Sequence, residues 1–375
     1  MDRLVLITDA FGSCMWKRFS GLPTASHKLT VRPLGRTIEA SERSTLLDAA
    51  LDAGVPIPFS CNVGDCGSCI CRLISGEVEE LNASAVISPA QRQAGFLLAC
   101  QTRARSDVTV ELPGADGAIE NHPTLKTEGT IVATEHLTHD ILEIQVELDT
   151  PMAYTAGQYA ELAIPGVLEE GRNYSFAAAP AKGERNLLVF HIRHVPGGAF
   201  SGWLHKEDRL GAKLRVIGPH GQFALRSSTS PILCVAGGTG MAPILSVLEQ
   251  ALLDGVQREV TYFFGCRQQR DLYSIEAMER LAADWPVKFR FEPVLSEEPI
   301  GTDWQGNRGF VTQLIRDEGE KQVMRAKGKK LSDHEAYLCG PPGMIDSAFD
   351  ILVGFGVDPN KIFFDKFVDK RHTIG

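Results

Sequence analysis

Residues 59–71 read FSCNVGDCGSCIC, which crowds Cys61, Cys66, Cys69 and Cys71 into one short loop. The other five of the nine cysteines, Cys14, Cys100, Cys234, Cys266 and Cys339, are scattered. An odd number fits structural pairing poorly. The opening MDRLVLITDAFG has only Leu4 to Ile7 as an apolar stretch, too short for the core of a signal peptide. The expected setting is therefore reducing and cytoplasmic, where metal ligation or burial accounts for the thiols. Nowhere do the ~18 apolar residues of a membrane span run together. With 375 residues, 43% hydrophobic and 23% charged, the chain reads as two or three globular domains, each able to bury a core. A formal net charge of -9 argues against a broad nucleic-acid surface. One basic run, KQVMRAKGKK at residues 321–330, goes against that trend; it reads as a solvated loop or as a docking site for an acidic partner.

Working outward from the loop, residues 1–26 show no clear period and stay unassigned as an N-terminal extension. HKLTVRPLG and RTIEASE alternate like two strands around Gly35. TLLDAALDAG follows Ser44 as a helix, with Ser44 the expected cap and Gly54 the stop. ICRLISGEV reads as a strand, and SPAQRQAG as a helix with Ser88 as cap, Pro89 in its first turn and Gln91 completing a capping box. FLLACQ and DVTVEL close this unit, and PGADGAIENHP is a linker. EGTIVATEHL, ILEIQVEL, QYAELAIP, NLLVFHIRHV and KLRVIGPHGQFAL then recur at short intervals and predict an antiparallel barrel. From Pro231 the period changes. Four apolar segments, PILCVAG, REVTYFFG, VKFRFEPVL and EAYLCG, alternate with helical patterns, among them MAPILSVLEQALLDG with a glycine stop and FVTQLIRDEG, and predict a doubly wound parallel sheet. The expected organisation is multidomain α+β and α/β: extension 1–26, a small mixed unit 27–113, a barrel 123–227 and a nucleotide-type unit 229–375.

Cys61, Cys66 and Cys69 have C-x4-C-x2-C spacing, and Cys100 follows in an apolar strand. That is the ligand pattern of a plant-type 2Fe-2S cluster. Three thiolates on a tight loop wrap the cluster, Gly64 and Gly67 admit backbone N–H groups to its sulfides, and a strand supplies the fourth thiolate. Zinc is the competing reading, but structural zinc favours paired C-x2-C knuckles and only one such pair is present. Cys71 fits no ligand position and reads as a buried strand thiol. Residues 27–112 resemble a plant-type ferredoxin, which implies a β-grasp fold.

In the barrel block, RNYSF (Arg172 to Phe176) resembles the R-x-Y-S flavin motif of the ferredoxin-NADP reductase superfamily. The resemblance implies Arg172 on flavin phosphates, Asn173 beside it, Tyr174 against the ring system and Ser175 near flavin N5. A guanidinium forks onto phosphate, a phenol offers a flat face, and a hydroxyl both gives and takes a hydrogen bond. His191 is a further cofactor-binding candidate. PGGAFSGWL adds Gly197, Gly198 and Ser201, the last expected to cap a helix whose free N–H groups suit a pyrophosphate. That favours FAD.

AGGTGMAP, with Gly237, Gly238, Thr239, Gly240 and Pro243, sits between an apolar strand and a helix, as a dinucleotide loop requires. LCGPPGM matches the family's C-G-P-P element, which implies Cys339 beside the nicotinamide, with Gly340 and Pro341 in the turn. FFDKF resembles the family's C-terminal aromatic strand, making Phe367 the ring expected to flank the flavin. Ser175, Cys339 and Phe367 are thus the catalytic candidates. Arg267 and Arg270 follow the second strand where an acidic residue would mark NADH. Arginines also accommodate a 2'-phosphate, so NADPH stays open, with NADH favoured.

The order ferredoxin, flavin, nucleotide is similar to reductase components of bacterial multicomponent oxygenases. It implies a wiring scheme. Nicotinamide delivers two electrons as hydride, iron-sulfur centres carry one, and flavin converts between them. The final acceptor is then an oxygenase component or small ferredoxin, in aromatic or hydrocarbon degradation, served by a monomer. A redox-sensing regulator on the same scaffold is the alternative.

Overall fold

The computed structural model describes residues 4–8, 14–18, 25–55, 57–59, 63–64, 67–84, 86–112, 120, 122–180, 186–324 and 329–367, with backbone alone for 4–8, 14–18 and 322–324. The extension contains a hairpin, β1 (Leu4–Thr8) against β2 (Cys14–Arg18). Cys61, Cys66, most of the linker and the middle of the basic run lie outside the described residues.

The N-terminal unit follows its apolar pattern closely. In β3 (Ser26–Arg32) Leu29 and Val31 point inward while Lys28 is exposed, and β4 (Arg36–Ser41) returns through Gly35 at φ 63°. Helix α1 (Leu46–Asp52) is capped by Thr45, not Ser44. Thr45 Oγ1 accepts from the Asp48 N–H at 3.1 Å and the Asp48 carboxylate reaches back, an exchange that needs an acid three residues on. Ser44 instead donates to the Ser41 carbonyl. β5 (Ile70–Ser75), β6 (Val78–Glu80), α2 (Pro89–Gln93), β7 (Phe96–Leu98), β8 (Thr102–Ala104) and β9 (Val108–Glu111) complete the unit. α2 carries the expected Ser88–Gln91 capping box. The main sheet runs β4-β3-β9-β5-β7, with β3 and β9 parallel.

The middle unit is a six-stranded antiparallel sheet. Its strands are β10 (Leu125–His136), β11 (Ile141–Leu148), β12 (Tyr159–Ile164), β13 (Leu168–Ser175), β14 (Leu187–Arg193) and β15 (Lys213–His220), with α3 (Ala199–Lys206) after β14. The order is β13-β12-β15-β10-β11-β14, and a Phe176–Phe190 bridge brings the two ends together. β13 was not among the five expected strands. Its sequence LEEGRNYS lacks apolar alternation because only its last residue is buried.

The C-terminal unit is all parallel. β16 (Ile232–Gly237) is buried at every residue, the pattern of a strand covered on both faces. α4 (Met241–Leu253), β17 (Val260–Cys266), α5 (Ile275–Asp284), β18 (Phe289–Leu295), the short β19 (Asn307–Arg308), α6 (Val311–Met324), β20 (Glu335–Gly340), α7 (Pro342–Gly354) and β21 (Ile362–Lys366) follow. α6 runs past Gly319, the last residue of the helical segment read from the sequence. A Cβ there would come within 2.6 Å of the Phe355 ring, so that glycine is a packing residue inside the helix. The order is β19-β18-β17-β16-β20-β21. The chain therefore leaves β16 toward one edge and returns through β20 toward the other, and ligands bind at such a switch point, beyond the carboxyl ends of the strands. The apolar core of the N-terminal unit continues into this one, with Phe96 edge-on to Phe349 and Phe364 at 6.1 and 5.7 Å. Among the described residues no helix is long and apolar enough to cross a membrane.

Candidate functional site

The two glycine-rich turns meet at the switch point. A Cβ on Gly240 would lie 2.2 Å from the Cys339 carbonyl oxygen, and one on Gly237 would lie 2.8 Å from Met344 Sδ. Gly340 has φ 135° and packs equally tightly on the Gly237 backbone. Only glycine permits this approach. Thr239 is half-buried in the turn, Pro243 is buried in the first turn of α4, and Pro341 is the N-cap of α7.

Beside these turns, β21 pairs with β20 so that Cys339 lies opposite Asp365. Cys339 is fully buried, and burial followed by the Asp365 charge pushes its thiol well above the ordinary range. Ser175, buried at the end of β13, donates to Asp365 Oδ2 at 3.4 Å. Loss of hydration raises the Asp365 carboxyl to about 6, opposed only by the Ser175 hydroxyl. Residues from the middle sheet and from two strands of the C-terminal sheet therefore share one enclosure. Asp365 was missed in the sequence, where FFDKF drew attention to its aromatic rings; an acid flanked by phenylalanine, opposite the C-G-P-P strand, was the available signal. Phe367 is half-buried against the C-terminal core, its N–H donating to the Gly340 carbonyl at 2.9 Å.

The other flavin-motif residues lie along the same edge of the middle unit. Arg172 is half-buried and donates to the carbonyls of Glu170 and Gly171 at 2.9 and 2.7 Å; Asn173 is exposed. Tyr174 packs on Phe200 with ring centroids 5.1 Å apart, and burial raises its phenol. α3 begins at Gly198 without a side-chain cap, correcting the expectation for Ser201. Ser201 is buried inside the first turn, where its Oγ accepts from the Val195 N–H at 3.1 Å and folds the glycine loop back on the helix. Gly197, at φ 76°, has open space in front of it. An uncapped helix start with room before it fits a phosphate, and the stacked Tyr174 and Phe200 fit a flat ring system.

β14 faces the nucleotide turns. His191 Nε2 lies 3.1 Å from Glu143 Oε2, its ring meets Tyr273 edge-on at 5.5 Å, and its buried Nδ1 has no partner among the described residues. The His191 hydrogen bond holds Glu143 below the usual carboxylate range. The Tyr273 hydroxyl donates to the Gly238 carbonyl at 3.2 Å. A Cβ on Gly238 would strike Arg193 Nη1 at 2.7 Å, so a guanidinium stands directly over the dinucleotide turn. Sequence reasoning missed Arg193. It also missed Asp140, which lies 3.2 Å from Arg193 Nε and 3.6 Å from Arg267 Nη2. Arg267 is further tied to Asp271 at 3.8 Å.

The cluster site is partly described. Cys69 and Cys100 are buried with their sulfurs 3.3 Å apart, and Gln101 Nε2 lies 3.8 Å from Cys100 Sγ. Gly64 and Gly67 both have positive φ, and a Cβ on Gly64 would meet Gln101 at 2.9 Å. Two converging thiols, a nearby amide donor and glycines that bring the loop backbone close fit an iron-sulfur centre. Cys71 is fully buried, its thiol pushed up first by desolvation.

Three family models match in chain order: a 2Fe-2S iron-sulfur cluster binding domain over residues 29–105, an oxidoreductase FAD-binding domain over 128–225 and an oxidoreductase NAD-binding domain over 234–350. The xylene/toluene monooxygenase electron transfer component of Pseudomonas putida is 40% identical over 358 residues, covering 95% of this chain and 98% of the relative. The ferredoxin-NAD(P)+ reductase component of the Pseudomonas putida naphthalene 1,2-dioxygenase system is 37% identical, covering 91% and 98%. The crystal structure of the Amycolatopsis reductase GcoB superposes with a TM-score of 0.66 at 33% identity, covering 92% of this chain and 99% of that one. The regulatory alternative finds no support in these relatives. The arrangement is a multidomain α+β one, with a ferredoxin-reductase-like FAD- and NAD-binding fold joined to a 2Fe-2S domain, and its activity is NAD(P)H-dependent electron transfer through FAD and the cluster. The chain belongs to the family of reductase, or electron-transfer, components of multicomponent aromatic oxygenases.

Proposed function

We propose that this reductase takes hydride from NADH and delivers single electrons to the oxygenase component, or a small ferredoxin, of an aromatic or hydrocarbon-oxidising system. The observation that carries the reading is the convergence of Ser175, Asp365 and Cys339 at the switch point of the parallel sheet. When bound, FAD supplies the conversion between two-electron and one-electron transfer. The three units are then a β-grasp ferredoxin domain (27–113), an antiparallel flavin barrel (123–227) and a doubly wound nucleotide domain (229–375).

Each residue has a stated task. Arg172 and the start of α3 with Gly197, Gly198 and Ser201 hold the FAD phosphates, and Tyr174 with Phe367 holds the ring system. Asn173 lines the same groove, and His191, with its unpartnered Nδ1, offers a polar contact to the cofactor. Gly237, Gly238, Thr239, Gly240, Pro243, Gly340 and Pro341 shape the nucleotide cleft, with Cys339 closing its inner wall. Cys61, Cys66, Cys69 and Cys100 ligate the cluster. The Ser175 hydroxyl, hydrogen-bonded to Asp365, passes the proton that must accompany hydride. A carboxyl with a pKa of about 6 takes and gives that proton near neutral pH.

NADH is favoured by the state of Arg267. Its guanidinium is already neutralised by Asp140 and Asp271, so a 2'-phosphate gains little there. The protein is read as a cytoplasmic monomer. Anaerobic titration of the purified holoprotein with NADH and then NADPH tests the whole reading. NADH bleaches first the flavin and then the cluster bands; a protein reduced by dithionite but not by either nucleotide would overturn it.

A further inference from the structure

Lys366 is the last residue of β21, and its side chain is only 2% exposed. A buried lysine is tolerated when its charge is fully matched. Here Nζ donates to the Val86 carbonyl at 2.5 Å and to Gln91 Oε1 at 2.8 Å, and Asp346 Oδ1 lies 2.6 Å away. The ammonium thus meets three groups, two through directed hydrogen bonds and the Asp346 carboxylate as its counter-charge. Two of them belong to the N-terminal unit and one to α7, so a single charge ties the two units together.

Each end of this tie reaches chemistry. Strand alternation turns Asp365 to the opposite side from Lys366, toward Ser175 and Cys339. On the other side, Val86 packs on Gly67, where a Cβ would lie 3.0 Å from Val86 Cγ1, and Gly67 sits between Cys66 and Cys69. Gln91 is fully buried, and its Oε1 also accepts from the Ser88 N–H at 2.9 Å, which fixes the amide in place. A second contact closes the gap from the middle unit, where the Ser68 and Tyr159 hydroxyls hydrogen-bond. Phe96, against Phe349 and Phe364, supplies the apolar floor.

We propose that Lys366 is a positioning residue for internal electron transfer, holding the cluster-bearing unit at a fixed separation from the flavin-facing end of β21. The step it serves moves one electron from the flavin side to the cluster with no bond made or broken; hydride from the nicotinamide is the reductant and the external acceptor the oxidant. Apolar packing alone leaves an interface free to slide, whereas two directed hydrogen bonds and an ion pair on one ammonium set its register. Small displacements far from the reacting groups cost rate steeply.

The proposal rests on the flavin-to-cluster reading, and Lys366→Met in the full-length holoprotein separates the two. Wild-type protein must first show sequential flavin and cluster reduction by NADH in stopped flow; if it does not, the functional reading fails first. In Lys366→Met, ferricyanide reduction stays within about twofold while cluster reduction and cytochrome c turnover fall about tenfold or more. The electron paramagnetic resonance signal of the dithionite-reduced cluster stays unchanged, which shows that the centre is intact and only its placement altered. Gln91→Leu, on the opposite side of the contact and remote from the flavin site, gives the same split if Lys366→Met folds poorly. Equal loss of both activities in either folded variant, or no loss in either, overturns the proposal.

Discussion

The two redox sites of this chain are built in opposite ways. The proposed cluster ligands among the described residues, Cys69 and Cys100, lie within one unit, and their sulfurs converge through a glycine-bearing loop and the short 3-10 turn Ala99–Gln101 that follows β7. The enclosure of Ser175, Asp365 and Cys339 draws on two sheets and three strands, with Ser175 and Asp365 separated by 190 positions. A site assembled locally is legible as a spacing. One assembled across units exists only once the units are docked, and its electrostatics follow from that docking. The raised carboxyl of Asp365 is the example, because burial against a second sheet causes the shift.

This contrast can be broken experimentally. The largest effect belongs to the local site. Cys69→Ser should abolish the iron-sulfur bands and cytochrome c reduction while flavin-dependent ferricyanide reduction persists; loss of both in a folded protein would show that the sites are not separately built. Next comes the assembled site. Ser175→Ala or Asp365→Asn should slow flavin reduction by NADH about 10²-fold, the scale of a lost proton-transfer group, with iron and sulfide content unaltered. Rapid-mixing absorbance at the flavin band is the measurement.

Asp365 also sharpens the comparison through stability. Its folded pKa of about 6 stands above the ordinary 3.8, so the folded state binds the extra proton between about pH 4 and 6. The stabilisation this brings is present at low pH and is lost as pH rises through that window. Asp365→Asn should therefore flatten the pH dependence of urea unfolding there and stabilise the protein at pH 8, by on the order of 1–3 kcal/mol. An unchanged profile would mean that the carboxyl is well hydrated. The smallest effect concerns Asp140. Releasing Arg193 and Arg267 with Asp140→Asn should raise the NADPH-to-NADH ratio of kcat/KM by about threefold, as suits a partly exposed ion pair. A shift toward NADH would refute the neutralisation argument.

Much of the fold could be read from local patterns. Alternation predicted β3 and β4, the Ser88 capping box predicted α2, and the apolar runs predicted β16 and β20. The errors share a cause. Ser44 and Thr45 are equivalent by residue type, and Asp48 decided between them. The helical segment FVTQLIRDEG continues beyond Gly319 to Met324, with the Phe355 ring packed on that glycine. β13 carries no apolar alternation, because it is a strand through its partner β12 and not through burial. Ser201 was assigned as a cap by its spacing, whereas the Val195 N–H takes its oxygen.

What the amino-acid order determined unaided is the inventory: cysteines at cluster spacing, glycines where backbones must touch, and an apolar period that changes from one unit to the next. Those features act over a few residues, so their physics is complete in the local chain. Tertiary structure alone decided that Asp365 and Lys366, adjacent in sequence, serve different neighbours. Strand geometry turns successive side chains to opposite faces, but which groups wait on each face, and how dry they are, is settled only when the sheets pack.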